Sequence, residues 1–491
     1  MGKTTGDSDD PAGSSLRQRA GLIFGPAGFL ILLVVPAPEG MSVAAWRTAA
    51  MALLMAILWI TEAVPIPVTA LLPIVLLPLM RIQDVAAATA PYANPVIFLF
   101  MGGFMIALAL ERCGLHRRLA LNIVAHSGTG SARLIGGFMA ATAFLSMWIS
   151  NTAAVLMMLP MATSIIALCA EEGGDPEEER NFSVALLLGL AYAASIGGLG
   201  TLIGTPPNAL LAGFMNETYG VEIGFGQWML LGVPLVLVSL PLTWLILTRF
   251  LHPLKGSAFA SGAEVIAREL AQLGRRRRDE TIVATITAVT ALLWVIRPLL
   301  DPYVPGLNDT TIAMAGGFAM FVVPVDGSWR RFGLEWKDIE RLPWSVLLLF
   351  GGGLALADSI QKTGLAVWLG SRLGALEDWP VPLVALALTV VVIFLTELTS
   401  NTATAATFLP VIAAIATGMS INPLLLAIPA VLGASCAFMM PVATPPNAII
   451  YGSGRLSVPQ MARAGVYLNV MFSILILILV FTVGDFIFGL R

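Results

Sequence analysis

Between its charged residues the chain is apolar for long stretches, and the lengths of those stretches predict its elements. A helix that crosses a bilayer needs about 20 mostly apolar residues, with a range of about 17–25. Charge-free runs that suit one span each cover Ala20–Pro38, Thr48–Thr61, Ala63–Met80 and Val85–Leu110 in the first half of the chain. Further runs cover Ile223–Thr248, Thr281–Ile296, Thr310–Val325, Leu342–Ala357 and Ala464–Gly484. The shorter ones reach spanning length by taking in a charge at one end.

Three runs break this rule: Leu134–Ala170 has 37 residues, Asn181–Asn216 has 36 and Leu398–Gly454 has 57. Two spans with a loop do not fit into the first, and Ser146, Ser150, Asn151 and Thr152 sit near its middle. A re-entrant hairpin over about 134–168 is the economical solution, and membranes tolerate such backbone only inside protein or beside a wet cavity. A second hairpin is expected over about 381–417, its tip running from Thr396 through Glu397, Leu398, Thr399, Ser400 and Asn401 to Thr402. Thr205-Pro206-Pro207-Asn208 and Thr444-Pro445-Pro446-Asn447 fall inside the other long runs. Paired prolines remove backbone donors and stop a helix, so broken helices are expected over about 183–214 and 422–453.

The two halves repeat one another. Phe100, Gly102, Gly103, Gly114 and Leu115 recur as Phe350, Gly352, Gly353, Gly364 and Leu365, and Ser150-Asn151-Thr152-Ala153 recurs as Ser400-Asn401-Thr402-Ala403, all at an offset of 250. The Thr-Pro-Pro-Asn motifs recur at an offset of 239. With a cytoplasmic N-terminus, 21 of the 27 Lys and Arg residues fall on the inside, which is the bias that sets orientation. That model has eleven crossings and places the C-terminus outside. The two Gly-Gly helices then run in opposite directions, so the repeats are inverted, as in secondary transporters with a midplane site. The expected organisation is a cytoplasmic tail (1–19), a first half (20–250), a polar cytoplasmic linker loop (251–280) and a second half (281–491). Within the linker, Arg275–Arg278 could bind nucleic acid or anionic lipid; a topology signal is the simpler reading, and no nucleic-acid partner is expected.

Composition narrows the function. Hydrophobic residues make up 57% of the chain and charged residues only 12%, with a mean hydropathy of +0.86, so a soluble enzyme is excluded. Cys113, Cys169 and Cys436 show no metal-ligand or disulfide spacing, and His116, His126 and His252 lie near span edges. An intramembrane enzyme would need a nucleophile–base pair or a metal set, and no histidine sits in a span centre. The fold class is an all-α polytopic membrane protein, and the chain is not read as an enzyme.

Four interruptions are thus expected to converge near the midplane. Freed carbonyls at helix C-termini suit Na⁺, and helix N-termini with Ser, Thr and Asn donors suit an anion. With no Arg or Lys evident in the site, bound cations would have to balance a dianion, which gives a physical reason for coupling. Helix–helix hydrogen bonding explains one isolated polar triplet in a span; two copies at hairpin tips beside Pro-broken helices favour a site. Glu397, whose repeat counterpart is Met147, is read either as a tie for the hairpin tip or as a cation-related acid. Asp358 is read as interfacial.

The paired Ser-Asn-Thr and Thr-Pro-Pro-Asn motifs, with the run Ser435–Asn447, resemble the divalent anion/sodium symporter family from about Gly21 onward. The resemblance implies eleven transmembrane helices, two re-entrant hairpins, a homodimer and an elevator motion in a cell (inner) membrane. It implies substrate contacts at Asn151, Thr152, Asn401 and Thr402, with Thr205, Pro206, Thr444 and Pro445 lining the pocket. A first sodium would use Ser146, Ser150, Asn151 and Gly204, and a second Thr396, Thr399, Asn401 and Ala443. Thr399 departs from the small residues common in the family. Both triplets are intact, which favours sodium-coupled uptake of C4-dicarboxylates such as succinate, fumarate or malate. The alternatives are a sodium-independent exchanger and a citrate or sulfate symporter. A proton-driven machine would need a carboxylate among the midplane ligands, where only Glu397 is available.

Overall fold

The computed structural model describes residues 16–128, 130–171, 175–254, 260–372 and 379–490. Lys3, Lys255 and Arg491, counted among the 27 Lys and Arg residues, lie outside them. Among the described residues the regular structure is helical, with one isolated bridge between Pro324 and Phe332. Ten helices are long and apolar enough to cross a membrane. Leu16–Val34, Val43–Thr61, Phe225–Leu251, Arg278–Leu300, Trp344–Lys362 and Val458–Phe488 fall on expected spans.

Three expected spans take a different form, one of them the run Thr310–Val325, whose helix Asp309–Val322 has only 14 residues. The run Ala63–Met80 is divided into Ile66–Thr69 and Leu72–Leu79. Pro65, Pro67, Pro73 and Pro78 stud this run, and each removes a helical donor. The Ala70 carbonyl at the division receives the Tyr92 hydroxyl. In the run Val85–Leu110 the long helix begins only at Pro95, where the Asn94 side chain accepts from the Val96 amide.

Both hairpins have helical arms and a four-residue turn. The first pairs Ser131–Ser146 with Asn151–Glu171, and the second pairs Val381–Thr396 with Asn401–Gly418. The leading arms have 16 residues each, about 24 Å of helix, too short to cross a hydrocarbon core of about 30 Å. The helix Pro176–Gly198 ends before Pro206–Tyr219 begins, and Leu424–Ala434 ends before Pro445–Gly452. The helix Pro176–Gly198 is 94% buried over its apolar window, against 11% for Leu16–Val34 and 17% for Arg278–Leu300. The broken helix therefore runs through the protein interior, and the latter two form its outer wall.

The Gly-Leu repeats mark sharp corners. Gly114 and Gly364 adopt φ of +75° and +80°, which favours glycine. Each turns its preceding helix into a short amphipathic one, Leu115–Ala125 and Leu365–Arg372. Phe100 and Phe350, also repeat mates, pack edge to face with ring centroids 5.2 Å apart.

The polar linker is not a loop throughout. It contains the helix Ala260–Leu273, which packs on Leu115–Ala125 and on the return arm Asn151–Glu171. Val265, Ile266, Leu270 and Leu273 face the core, while Glu269 pairs with Arg117. Overall polarity hid an amphipathic period, and it is the period that buries one face. Ion pairs gather in separate groups. Arg112 pairs with Glu335 and Asp338, Arg118 with Glu280, and Arg297 with Glu222 and Asp309. Hydrogen bonds from Lys337 and Arg112 hold the exposed Glu335 carboxyl down at about 2.

Candidate functional site

A cavity of about 710 Å³ lies where the two turns meet the two broken helices. The eight substrate positions predicted above all lie on its wall: Asn151 and Thr152, Asn401 and Thr402, Thr205 and Pro206, Thr444 and Pro445. Phe104, Ile203, Val346 and Val442 supply apolar surface, and Glu62 and Ser345 also border it. Among the described lining residues there is no Lys or Arg.

Helix termini shape this wall. Asn151 and Asn401 open the return arms, and Pro206 and Pro445 open the second segments of the broken helices. Proline is suited to a first helical turn, where its missing N–H costs nothing. The positive ends of four helices therefore face one space; Pro206-Pro207 and Pro445-Pro446 have no N–H to offer, so free first-turn amides come from the return arms at Asn151 and Asn401. The Ser150 hydroxyl accepts from the Ala153 amide, and Thr444 Oγ1 accepts from the Asn447 amide. Thr205 Oγ1 lies 3.4 Å from Ser435 Oγ, a link between the halves.

Behind each turn is a cluster of oxygens. Ser146 Oγ is within hydrogen-bond reach of Asn151 Oδ1 and is 2.7 Å from the Ala194 carbonyl oxygen. Thr396 Oγ1 is 2.7 Å from Asn401 Oδ1 and 2.9 Å from the Ala434 carbonyl oxygen. Both hydroxyl residues are fully buried. Each hydroxyl has one proton for two acceptors, so each cluster holds more lone pairs than protons. That is an environment for a hard cation with oxygen ligands. Gly204 belongs beside the first cluster. A Cβ on Gly198 would come within 3.0 Å of both Asn151 Oδ1 and the Gly204 carbonyl oxygen, and a Cβ on Gly204 would sit 2.5 Å from the Gly198 carbonyl oxygen. Only glycine allows that approach.

Ser150, Asn151 and Gly204 reach the cavity wall on the first side, as do Asn401 and Ala443 on the second. Ser146 and Thr396 lie behind it and act through the asparagines. Thr399 is directed elsewhere: its hydroxyl donates to the Leu395 carbonyl or shares a proton with Thr404, 2.6 Å away.

Glu397 is buried and serves as a tie. Its Oε1 accepts from the Phe438 and Met439 amides at 2.7 and 2.9 Å and from Asn469 Nδ2 at 2.8 Å. Its Oε2 accepts from the Met439 and Met440 amides at 2.9 and 3.1 Å. These amides lie in the unwound stretch between Ala434 and Pro445, where no helix supplies them with acceptors. The carboxylate thus fastens the hairpin tip to the broken helix. Asp358 accepts from Gln83 and Lys362 at the end of its helix.

Sequence reasoning missed three kinds of brace. Asn208 Nδ2 donates to the Gly198 and Thr201 carbonyls, and Asn447 Nδ2 to the Ala437 and Met440 carbonyls. Each closes its own break, and their recurrence in both Thr-Pro-Pro-Asn motifs was the available signal. Thr201 donates to the Met147 carbonyl at 2.7 Å. Asn469 stood out as a polar residue in the apolar helix Val458–Leu479.

The model of the family described as the sodium:sulfate symporter transmembrane region matches residues 18–490. The chain belongs to this family. It is 42% identical over 472 residues to a protein of Staphylococcus saprophyticus named sodium-dependent dicarboxylate transporter SdcS, covering 94% of this chain and 90% of that one. The protein of the same name from Staphylococcus aureus strain USA300 is 42% identical over 489 residues, covering 97% of this chain and 93% of the relative. Among solved structures, the fold resembles the YdaH transporter of Alcanivorax borkumensis, described as having an unusual topology. The TM-score is 0.57 at 17% identity, covering 78% of this chain and 85% of that one. That likeness concerns the fold alone.

Proposed function

We propose that this membrane protein is a secondary transporter that couples sodium entry to the uptake of C4-dicarboxylates such as succinate, fumarate and malate. One observation carries the reading: four helix N-termini and two oxygen clusters surround a single cavity whose described lining lacks Lys and Arg. A dianion in such a site is held by amides, hydroxyls and side-chain amides, and its charge is balanced by cations in the clusters behind the turns. Sodium at Ser146, Asn151, the Ala194 carbonyl and Gly204 would also fix the Asn151 amide toward the substrate. The second cluster, with Thr396, Asn401, Ala443 and a backbone carbonyl at Thr399, would do the same for Asn401. The names of the 42% identical relatives agree with both the ion and the substrate class.

The hairpins are re-entrant in this reading, and the halves are inverted repeats. The short leading arms, with return arms of 21 and 18 residues, and the contact between Phe100 and Phe350 support it. The chain lies in the cell membrane with its N-terminus cytoplasmic and its C-terminus outside. Each named ion pair joins residues that the Lys/Arg count assigns to one side. A homodimer whose hairpins and broken helices move together as an elevator completes the reading, since a loaded site of balanced charge crosses at low electrostatic cost.

The test is succinate uptake into liposomes containing the purified protein, with Na⁺, K⁺ or choline outside. Uptake that requires a sodium gradient is expected. Uptake without sodium that requires internal dicarboxylate would make the protein an exchanger, and uptake of citrate or sulfate alone would change the substrate class.

A further inference from the structure

A second cavity, of about 470 Å³, shares no lining residue with the first. Its walls are Phe144, Trp148 and Ile149 of the first hairpin, the helix Leu115–Ala125, and the spanning helix Arg278–Leu300. Along that helix Ala284, Ala288 and Ala291 recur at helical spacing and line a trough, about 10 Å long. Phe144 and Leu119 are 41% and 37% exposed at its opening, and Arg278–Leu300 is an outer helix. The trough therefore opens on the surface that faces lipid.

Its rim is basic. Arg118 is held by Glu280 at 2.7 Å and by the Leu273 and Gly274 carbonyls. Arg277 reaches the Cys113 carbonyl and Asp279. Arg276 lines the cavity, is exposed, and has no hydrogen-bond or ion-pair partner among the described residues. Arg275–Arg278 and Arg118 together outweigh Asp279 and Glu280 in charge.

We infer that this trough holds one anionic phospholipid, with an acyl chain against Ala284 and Ala288 and its phosphate at Arg276. An apolar slot beside a spanning helix, ending at an arginine with no partner among the described residues and beside the membrane surface, matches an acyl chain joined to an anionic head. A soluble anion would find apolar walls, and an uncharged amphiphile would leave Arg276 without a counter-charge. The acyl chain fills the space between Arg278–Leu300 and the hairpin wall at Trp148 and Ile149, turn residues that directly precede Ser150 and the return arm opening at Asn151.

The test uses the full chain in lipid nanodiscs doped with phosphatidylglycerol carrying a photoreactive acyl chain, followed by peptide mapping. Labelling is expected on residues 284–291 and 144–149. Arg276→Gln is expected to lower it about fivefold, as for loss of one basic contact near a charged surface, and Arg275→Gln, at a position that does not line the cavity, to lower it less. Ala288→Trp, which fills the trough, is expected to abolish it, and Arg276→Gln remains informative where that variant folds poorly. Sodium-driven uptake by Arg276→Gln in phosphatidylcholine liposomes should equal wild type, which separates lipid binding from the transport site. Equal labelling by photoreactive phosphatidylcholine, or labelling indifferent to both Arg276→Gln and Ala288→Trp, would overturn the inference.

Discussion

At the first hairpin tip Met147 stands where the second has Glu397, and the two tips are fastened by different chemistry. The clusters behind them match: Ser146 with Asn151 and the Ala194 carbonyl, Thr396 with Asn401 and the Ala434 carbonyl. The fastenings do not. On the first side Thr201 donates to the Met147 carbonyl, and Trp228 Nε1 donates to the Leu199 carbonyl in the break. On the second side one buried carboxylate collects three backbone amides and Asn469. The difference follows from the breaks themselves. Between Gly198 and Pro206 the chain keeps hydrogen-bonded turns at Leu199, Gly200 and Gly204, whereas the stretch from Ser435 to Thr444 is longer and leaves consecutive amides without backbone acceptors. What is common to the two tips thus belongs to the proposed ion and substrate chemistry, and what differs belongs to local backbone satisfaction.

The sharpest way to break this comparison is Glu397→Ala. It leaves the amides of buried Phe438 and half-buried Met439 and Met440 without acceptors, at about 1–3 kcal/mol for a buried one and less for the others, so a stability loss of about 2–3 kcal/mol or more is expected in thermal unfolding of the purified protein. Met147→Ala should cost less than half of that. Equal losses would mean that the second tip does not depend on its carboxylate. Next in size are Asn151→Ala and Asn401→Ala. Each removes a side chain proposed to face a charged substrate, a hydrogen bond of about 1.5–3 kcal/mol, and each should lower sodium-driven uptake by about 10- to 100-fold while the protein stays folded. Wild-type uptake by either variant would remove that residue from the site.

Smaller effects sharpen the contrast. Ser146→Ala and Thr396→Ala should raise the sodium concentration needed for half-maximal uptake by similar factors, because their environments match. Thr399→Ala should leave that requirement nearly unchanged, since its hydroxyl serves Leu395 and Thr404; a shift as large as that of Thr396→Ala would place the Thr399 hydroxyl in the ion site. The least effect is expected at His252, beside the end of the first half. Burial, with Arg463 and Arg180 nearby, lowers its pKa to about 4. The unfolded chain takes up this proton near pH 6.5 and the native state only near 4, so stability present above about 6.5 falls between those values. His252→Asn should flatten that part of the stability profile, as read from unfolding midpoints.

Much of this was legible because polar residues in a membrane chain are rare and therefore conspicuous. The long charge-free runs and the repeat pointed to the stretches where helices end at Ser146, Gly198, Thr396 and Ala434, and the eight predicted substrate positions line one cavity. Two kinds of feature were hidden. The helix Ala260–Leu273 has a polar composition, and only its period reveals the buried stripe. The division at Ala70 was concealed because hydropathy registers Pro65, Pro67, Pro73 and Pro78 as ordinary members of an apolar run. Side-chain direction was also beyond reach: Thr399 reads as a ligand by its place in the motif, yet its hydroxyl turns to its own helix and to Thr404. Glu397 kept two readings until its four donors were seen.

The central claim is that cations held behind the turns make the cavity fit for a dianion. Equilibrium binding of radiolabelled succinate to the purified protein, titrated with Na⁺ against a choline background, tests it most directly. The account predicts no measurable binding in choline and a sodium dependence steeper than first order, reduced in steepness by Ser146→Ala or Thr396→Ala. Succinate binding of equal strength with and without sodium would contradict it.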